Sequence, residues 1–142
     1  MKKRFFKDAM KESRLSDYDG QHIGAVAVYK DKFILARAHN SDKTNTTQFI
    51  YNKYRITNKD STIMKTPPRS HAETNLFRKI QYLDVDFKDV VVYIFRERKD
   101  TGAPALSRPC ASCRKLLRDL GIKTICYTEN DGYIEEKFYT KQ

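Results

Sequence analysis

Two short stretches constrain this chain more than anything else in it. The first is Ser70-His71-Ala72-Glu73. The second, about 40 residues on, is Pro109-Cys110-Ala111-Ser112-Cys113. His71, Cys110 and Cys113 supply one imidazole and two thiols, a donor set that suits zinc. Three protein ligands leave a fourth tetrahedral position open, which marks a catalytic rather than a structural site. Each stretch also has a plainer reading. Ser70-His71-Ala72-Glu73 fits the S-x-x-E capping box, in which Glu73 only reaches back to a helix N-cap. Cys110 and Cys113 alone fit a redox pair or half of a structural zinc site.

Length and composition bound the rest. The 142 residues suffice for a single domain spanning 1–142 with a sizeable core. Charged residues make up 32% and hydrophobic ones 39%. No run approaches the roughly 18 apolar residues of a membrane helix, so no membrane association is expected. The basic start, Met1 to Lys7, is not followed by an apolar segment, so no signal peptide is expected. Three cysteines without a secretion signal argue against a disulfide framework and for a reducing, cytoplasmic setting. The net charge of +10 favours polyanionic partners, nucleotides or nucleic acid, or is simply a basic surface.

The hydrophobic pattern predicts an amphipathic first helix over Lys3 to Leu15, with Phe5, Phe6, Ala9, Met10 and Leu15 inward and a basic outer face. Ile23 to Tyr29 and Phe33 to Ala38 read as a hairpin turned at Asp31 and Lys32. The polar segment 41–69 reads as an insertion that covers the site, since a loop of that length is uncommon unless functional. A helix is expected over Ser70 to Leu83, buried through Leu76, Phe77, Ile80 and Leu83. The nearly continuous apolar run Val90 to Phe95 suits a strand buried on both faces. Thr101 to Pro104 reads as a loop. Pro109 opens a third helix that Gly121 caps. Lys123 to Thr128 and Tyr133 to Phe138 complete the strands. This order predicts an α/β three-layer sandwich, a mixed five-stranded sheet with helices on both faces.

With these residues in place, the chain resembles the cytidine and deoxycytidylate deaminase superfamily. His71-Ala72-Glu73 and Pro109-Cys110-Ala111-Ser112-Cys113-Arg114 are similar to its two zinc motifs, H-x-E and P-C-x-x-C. The resemblance implies one zinc ion per chain on His71, Cys110 and Cys113. It also implies hydrolytic deamination of a cytosine-type base in a free nucleoside or nucleotide. Glu73, outside the ligand set, would carry protons among water, ring nitrogen and departing ammonia. The backbone of Ala72 would hold the base. Asn40 matches the position of a sugar-binding asparagine, although it also reads as a turn residue. Family members commonly assemble, so a homo-oligomer is implied too.

Two rival readings remain. Lys43, Lys53, Arg55, Lys59, Lys65 and Arg69, with Phe49, Tyr51 and Tyr54, suit a deaminase acting on single-stranded DNA or RNA. A zinc-stabilised binding module without catalysis is the other, and Glu73 counts against it because a structural zinc site has no use for an acid/base group. Cys126 reads as core, and His22 and His39 as structural or exposed residues rather than ligands.

Overall fold

The computed structural model describes residues 2–18, 20–43, 47, 50, 70–98, 100–130 and 132–138. Most of the 41–69 segment, including Phe49, Tyr51, Tyr54 and every basic residue named there except Lys43, lies outside the described residues.

Helix α1, Lys3–Ser13, buries Phe5, Phe6 and Ala9. Strands β1, His22–Tyr29, and β2, Phe33–His39, form an antiparallel hairpin. Its turn begins one residue earlier than expected: Lys30 and Asp31 carry φ of 51° and 57°, two successive left-handed residues that match the twist of the flanking strands. Helix α2 spans Ala72–Ile80, β3 Val90–Glu97, β4 Pro104–Ala105, α3 Ala111–Leu120, β5 Thr124–Glu129 and β6 Gly132–Lys137.

The sheet runs in the order β2-β1-β3-β5-β6, with the two-residue β4 paired to β3. The expected five strands are present, and β4 is an addition that begins at Pro104, the last residue of what reads as a loop. Among these pairings β3 with β5 is parallel and the rest are antiparallel. A parallel neighbour needs a crossover, and α3 supplies it.

Side-chain alternation along the central strands builds the three layers. Ala25, Ala27, Val92, Ile94 and Ile125 pack with Ala72, Leu76, Ile80 and Leu117 of α2 and α3. Val26, Val28, Tyr93, Phe95 and Cys126 pack with Phe5, Phe6 and Ala9 of α1. The apolar run in β3 therefore faces a helix layer on each side. α1 packs tightly on Gly24, where an added Cβ would collide with the carbonyl oxygen of Ala9 and stand 2.5 Å from the amide nitrogen of Ser13.

Three element ends differ from the sequence reading. Leu15 lies past α1 and Leu83 past α2, and both are exposed. Pro109 does not occupy the first helical turn. Cys110 is the N-cap of α3, and Pro109 is the residue before it. Gly121 does end α3, in the left-handed conformation at φ 108°. No described helix is long and apolar enough to cross a membrane.

Candidate metal centre and active site

Two helix starts form the site. His71 is the N-cap of α2 and Cys110 the N-cap of α3, both with extended backbone, and neither side chain caps its helix. The positive ends of both helix dipoles therefore converge where thiolates collect, which favours the charged sulfur. Ser70 is not the N-cap that a capping box requires. Its hydroxyl oxygen accepts from Asn75 Nδ2 at 3.1 Å, and Asn75 Nδ2 also donates to the His39 carbonyl at 2.7 Å. Backbone bonds from Ser41 N to Ser70 O and from Ser70 N to Lys43 O, 3.0 and 2.9 Å, fix the approach to His71.

His71, Cys110 and Cys113 meet, with one donor atom from each lying within 4.8 Å of the others. His71 Nδ1 stands 3.2 Å from Cys113 Sγ and 3.7 Å from Cys110 Sγ. Zinc bonds of about 2.0–2.3 Å in tetrahedral array put neighbouring ligand atoms roughly 3.5–3.8 Å apart. The donor set and its spacing thus fit zinc with small adjustments.

The electrostatics follow from packing. The hydrogen bond shared with Cys113 lowers the Cys110 thiol to about 3, with His71 and the Ser112 hydroxyl acting the same way and burial opposing. That same bond pushes Cys113 well above the ordinary thiol range, as do burial and Glu73. Glu73, 4% exposed in the first turn of α2, is pushed up by burial, with His71 opposing. Ser112 Oγ lies 3.0 Å from Cys110 Sγ, and Thr74 Oγ1 4.0 Å from Cys113 Sγ.

The cysteine segment is tied to the sheet by Ser107 and Thr128, both buried. Ser107 Oγ donates to the Ile94 carbonyl at 3.1 Å and lies 2.8 Å from Thr128 Oγ1. Ser107 N donates to the Thr128 carbonyl at 2.8 Å, and Thr128 N donates to Ser107 Oγ at 2.8 Å. This network joins the ends of β3 and β5 just ahead of Cys110.

Ala72 is fully buried as the first residue of α2. Asn40 is 7% exposed and fastens β2 to β1: its Oδ1 accepts from Ile23 N at 3.0 Å and its Nδ2 donates to the Gln21 carbonyl at 2.6 Å. Ser41, beside it, bonds Ser70, so the chain brings Asn40 toward the start of α2. His22 and His39 stand with other partners, the Tyr18 carbonyl at 2.7 Å and Glu12 Oε1 at 2.8 Å. Cys126 is buried on the α1 side of the sheet, opposite the site. Sequence reasoning missed Thr74, Ser112, Ser107, Thr128 and Asn75. Ser112 and Thr74 adjoin motif residues and were open to notice, whereas the other three act through pairings the sequence does not display.

The sequence matches the family model described as the cytidine and deoxycytidylate deaminase zinc-binding region over residues 1–129. No curated protein matches the chain. Among solved structures it is similar to the dCMP deaminase of cyanophage S-TIM5 in apo form, with TM-score 0.56 and 23% identity, covering 89% of this chain and 84% of that one. The same phage enzyme in complex with dCMP and dUMP gives TM-score 0.54 and 22% identity, covering 89% and 82%. A cytidine deaminase from Burkholderia pseudomallei gives TM-score 0.58 and 16% identity, covering 96% and 93%. At these identities the solved structures establish the shared fold.

Proposed function

The chain belongs to the cytidine and deoxycytidylate deaminase family, and on that premise we propose that it hydrolyses the amino group from a cytosine-type base carried on a free nucleoside or nucleotide. His71, Cys110 and Cys113 hold one zinc ion in this reading. The observation that carries it is a buried carboxylic acid, Glu73, two residues from the histidine of a compact N/S/S cluster.

Zinc, when bound, supplies a Lewis acid that makes water nucleophilic near neutral pH. The protein does the remaining work. Glu73 takes a proton from the water whose oxygen bonds to the amino-bearing ring carbon. It passes that proton to the adjacent ring nitrogen, takes a second from the hydroxyl now on that carbon, and delivers it to the amino group as the carbon–nitrogen bond breaks and the carbonyl forms. The products are the corresponding uracil-type base and ammonia. Burial that raises the Glu73 carboxyl suits this role, because a shuttle must hold and release a proton with comparable ease. The Ala72 backbone holds the base. Asn40 contacts the sugar through the N–H and lone pair that its two backbone bonds leave over. The phage relative crystallised with dCMP and dUMP supports a mononucleotide substrate.

The test is ammonia release against a panel of nucleosides, nucleotides and oligonucleotides, with metal content measured in parallel. About one zinc per chain and release from cytosine mononucleosides or mononucleotides are expected. Glu73→Gln should keep the metal and lose about 10²–10⁴-fold in turnover. Protein that carries no metal when purified without chelators contradicts the reading.

A further inference from the structure

A second charged cluster flanks the site and has no part in the chemistry above. Glu136 of β6 shares a strand face with Ile134, which packs on the α2 and α3 side of the sheet. Its Oε1 accepts from Arg108 Nε at 3.0 Å and from the Tyr127 hydroxyl at 3.2 Å. Its Oε2 lies 3.6 Å from Arg114 Nε. Arg108 stands two residues before Cys110, and Arg114 directly follows Cys113. One carboxylate therefore grips both flanks of the Pro109-to-Cys113 segment. Among the described residues buried Arg114 Nε has no hydrogen-bond partner, and the Glu136 carboxylate stands against its charge.

We infer that Glu136 is a positioning residue for the Cys110 and Cys113 thiolates, holding them at metal-ligand spacing through Arg108 and Arg114. The inference rests on the zinc reading above. An ordinary surface ion pair would contribute little. This one differs in three respects. The carboxylate side chain is only 20% exposed, it gathers two guanidinium groups and a phenol, and its partners bracket the ligands on both sides. A segment ordered before metal arrives loses less freedom on binding, and partners beyond the ligands typically change metal affinity 10–100-fold. Glu136 also sits on β6, whose partner β5 carries Thr128, the residue that anchors Ser107. The cysteine segment is thus fastened at Ser107, Arg108 and Arg114, all to the same strand pair.

The experiment is a cobalt(II) titration followed by the thiolate-to-cobalt absorption band, with zinc competition against a chelator, on the full chain. Glu136→Gln should bind 10–100-fold more weakly and shift the cobalt band. Glu97→Gln, which breaks the Arg14–Glu97 pair on the α1 side, should match wild type. Wild-type affinity in Glu136→Gln overturns the inference, and so does an equal loss in Glu97→Gln. If Glu136→Gln does not fold, Arg108→Gln carries the test from a nearly half-exposed side chain. A tenfold or greater loss there supports the inference, and unchanged affinity overturns it. A wild-type chain that takes up neither cobalt nor zinc removes the metal reading itself and the inference with it.

Discussion

Burial of Glu73 bears on stability as well as on the proton-carrying role proposed for it. Its folded carboxyl is raised above the ordinary value of 4.5. Between 4.5 and the raised value, the native state still binds a proton that the unfolded chain has released. The stability of the metal-free protein therefore falls as pH rises through that window. Glu73→Gln removes this dependence. The metal-free variant is expected to melt above wild type at neutral pH, by roughly 2–8 °C for each kcal/mol recovered. The difference should shrink as pH drops toward 4.5. Calorimetry of chelator-treated protein across pH reads both features, and a variant that melts lower than wild type at neutral pH contradicts them. One substitution would then raise stability and remove turnover, the exchange expected where a site holds a group in unfavourable surroundings.

Elements show where the sequence was legible. The Val90 to Phe95 run could be read as a strand covered on both faces because no polar residue interrupts it, and each face did meet a helix layer. His71, Cys110 and Cys113 were legible because imidazole and thiol are uncommon residues whose spacing itself carries chemistry. Helix ends were less so. Pro109 suits either the first turn or the residue before the cap, and only the placement of Cys110 decides between them. β4 escaped notice because two residues have no period to detect. Gly24 also looked like any glycine in a strand, yet α1 rests on its bare Cα. Gly24→Ala should force α1 off β1 and cost about 1–3 kcal/mol, as overpacking does. Urea denaturation measures that loss. On the zinc reading proposed above, zinc stoichiometry of the folded fraction should be unchanged, since α1 lies on the far side of the sheet from the two helices whose starts bring His71, Cys110 and Cys113 together. A chain that loses metal along with stability would show the two faces to be coupled.

Charge belongs to the whole molecule, and there the favoured substrate and its rival part. A mononucleotide meets the protein locally at the site. A single strand engages several phosphates and releases counterions, so its log affinity falls against log salt by about 0.7 per phosphate contacted. The net charge of +10 makes both conceivable, because it counts cations without placing them around a strand. The catalytic efficiency on mononucleotides is expected to vary weakly between low and physiological salt and to exceed that on oligonucleotides. A steep salt slope with preference for the oligonucleotide would assign the protein to nucleic-acid editing instead. The bonds from Ser41 to Ser70 and from Ser70 to Lys43 bear on this choice from another direction. They clamp the two ends of segment 44–69 side by side, one residue from His71. Doubling the length of that segment adds only about 0.6 kcal/mol of closure entropy. A change of length between Lys43 and Ser70 therefore costs the sheet little, and the approach to His71 stays where these two bonds hold it.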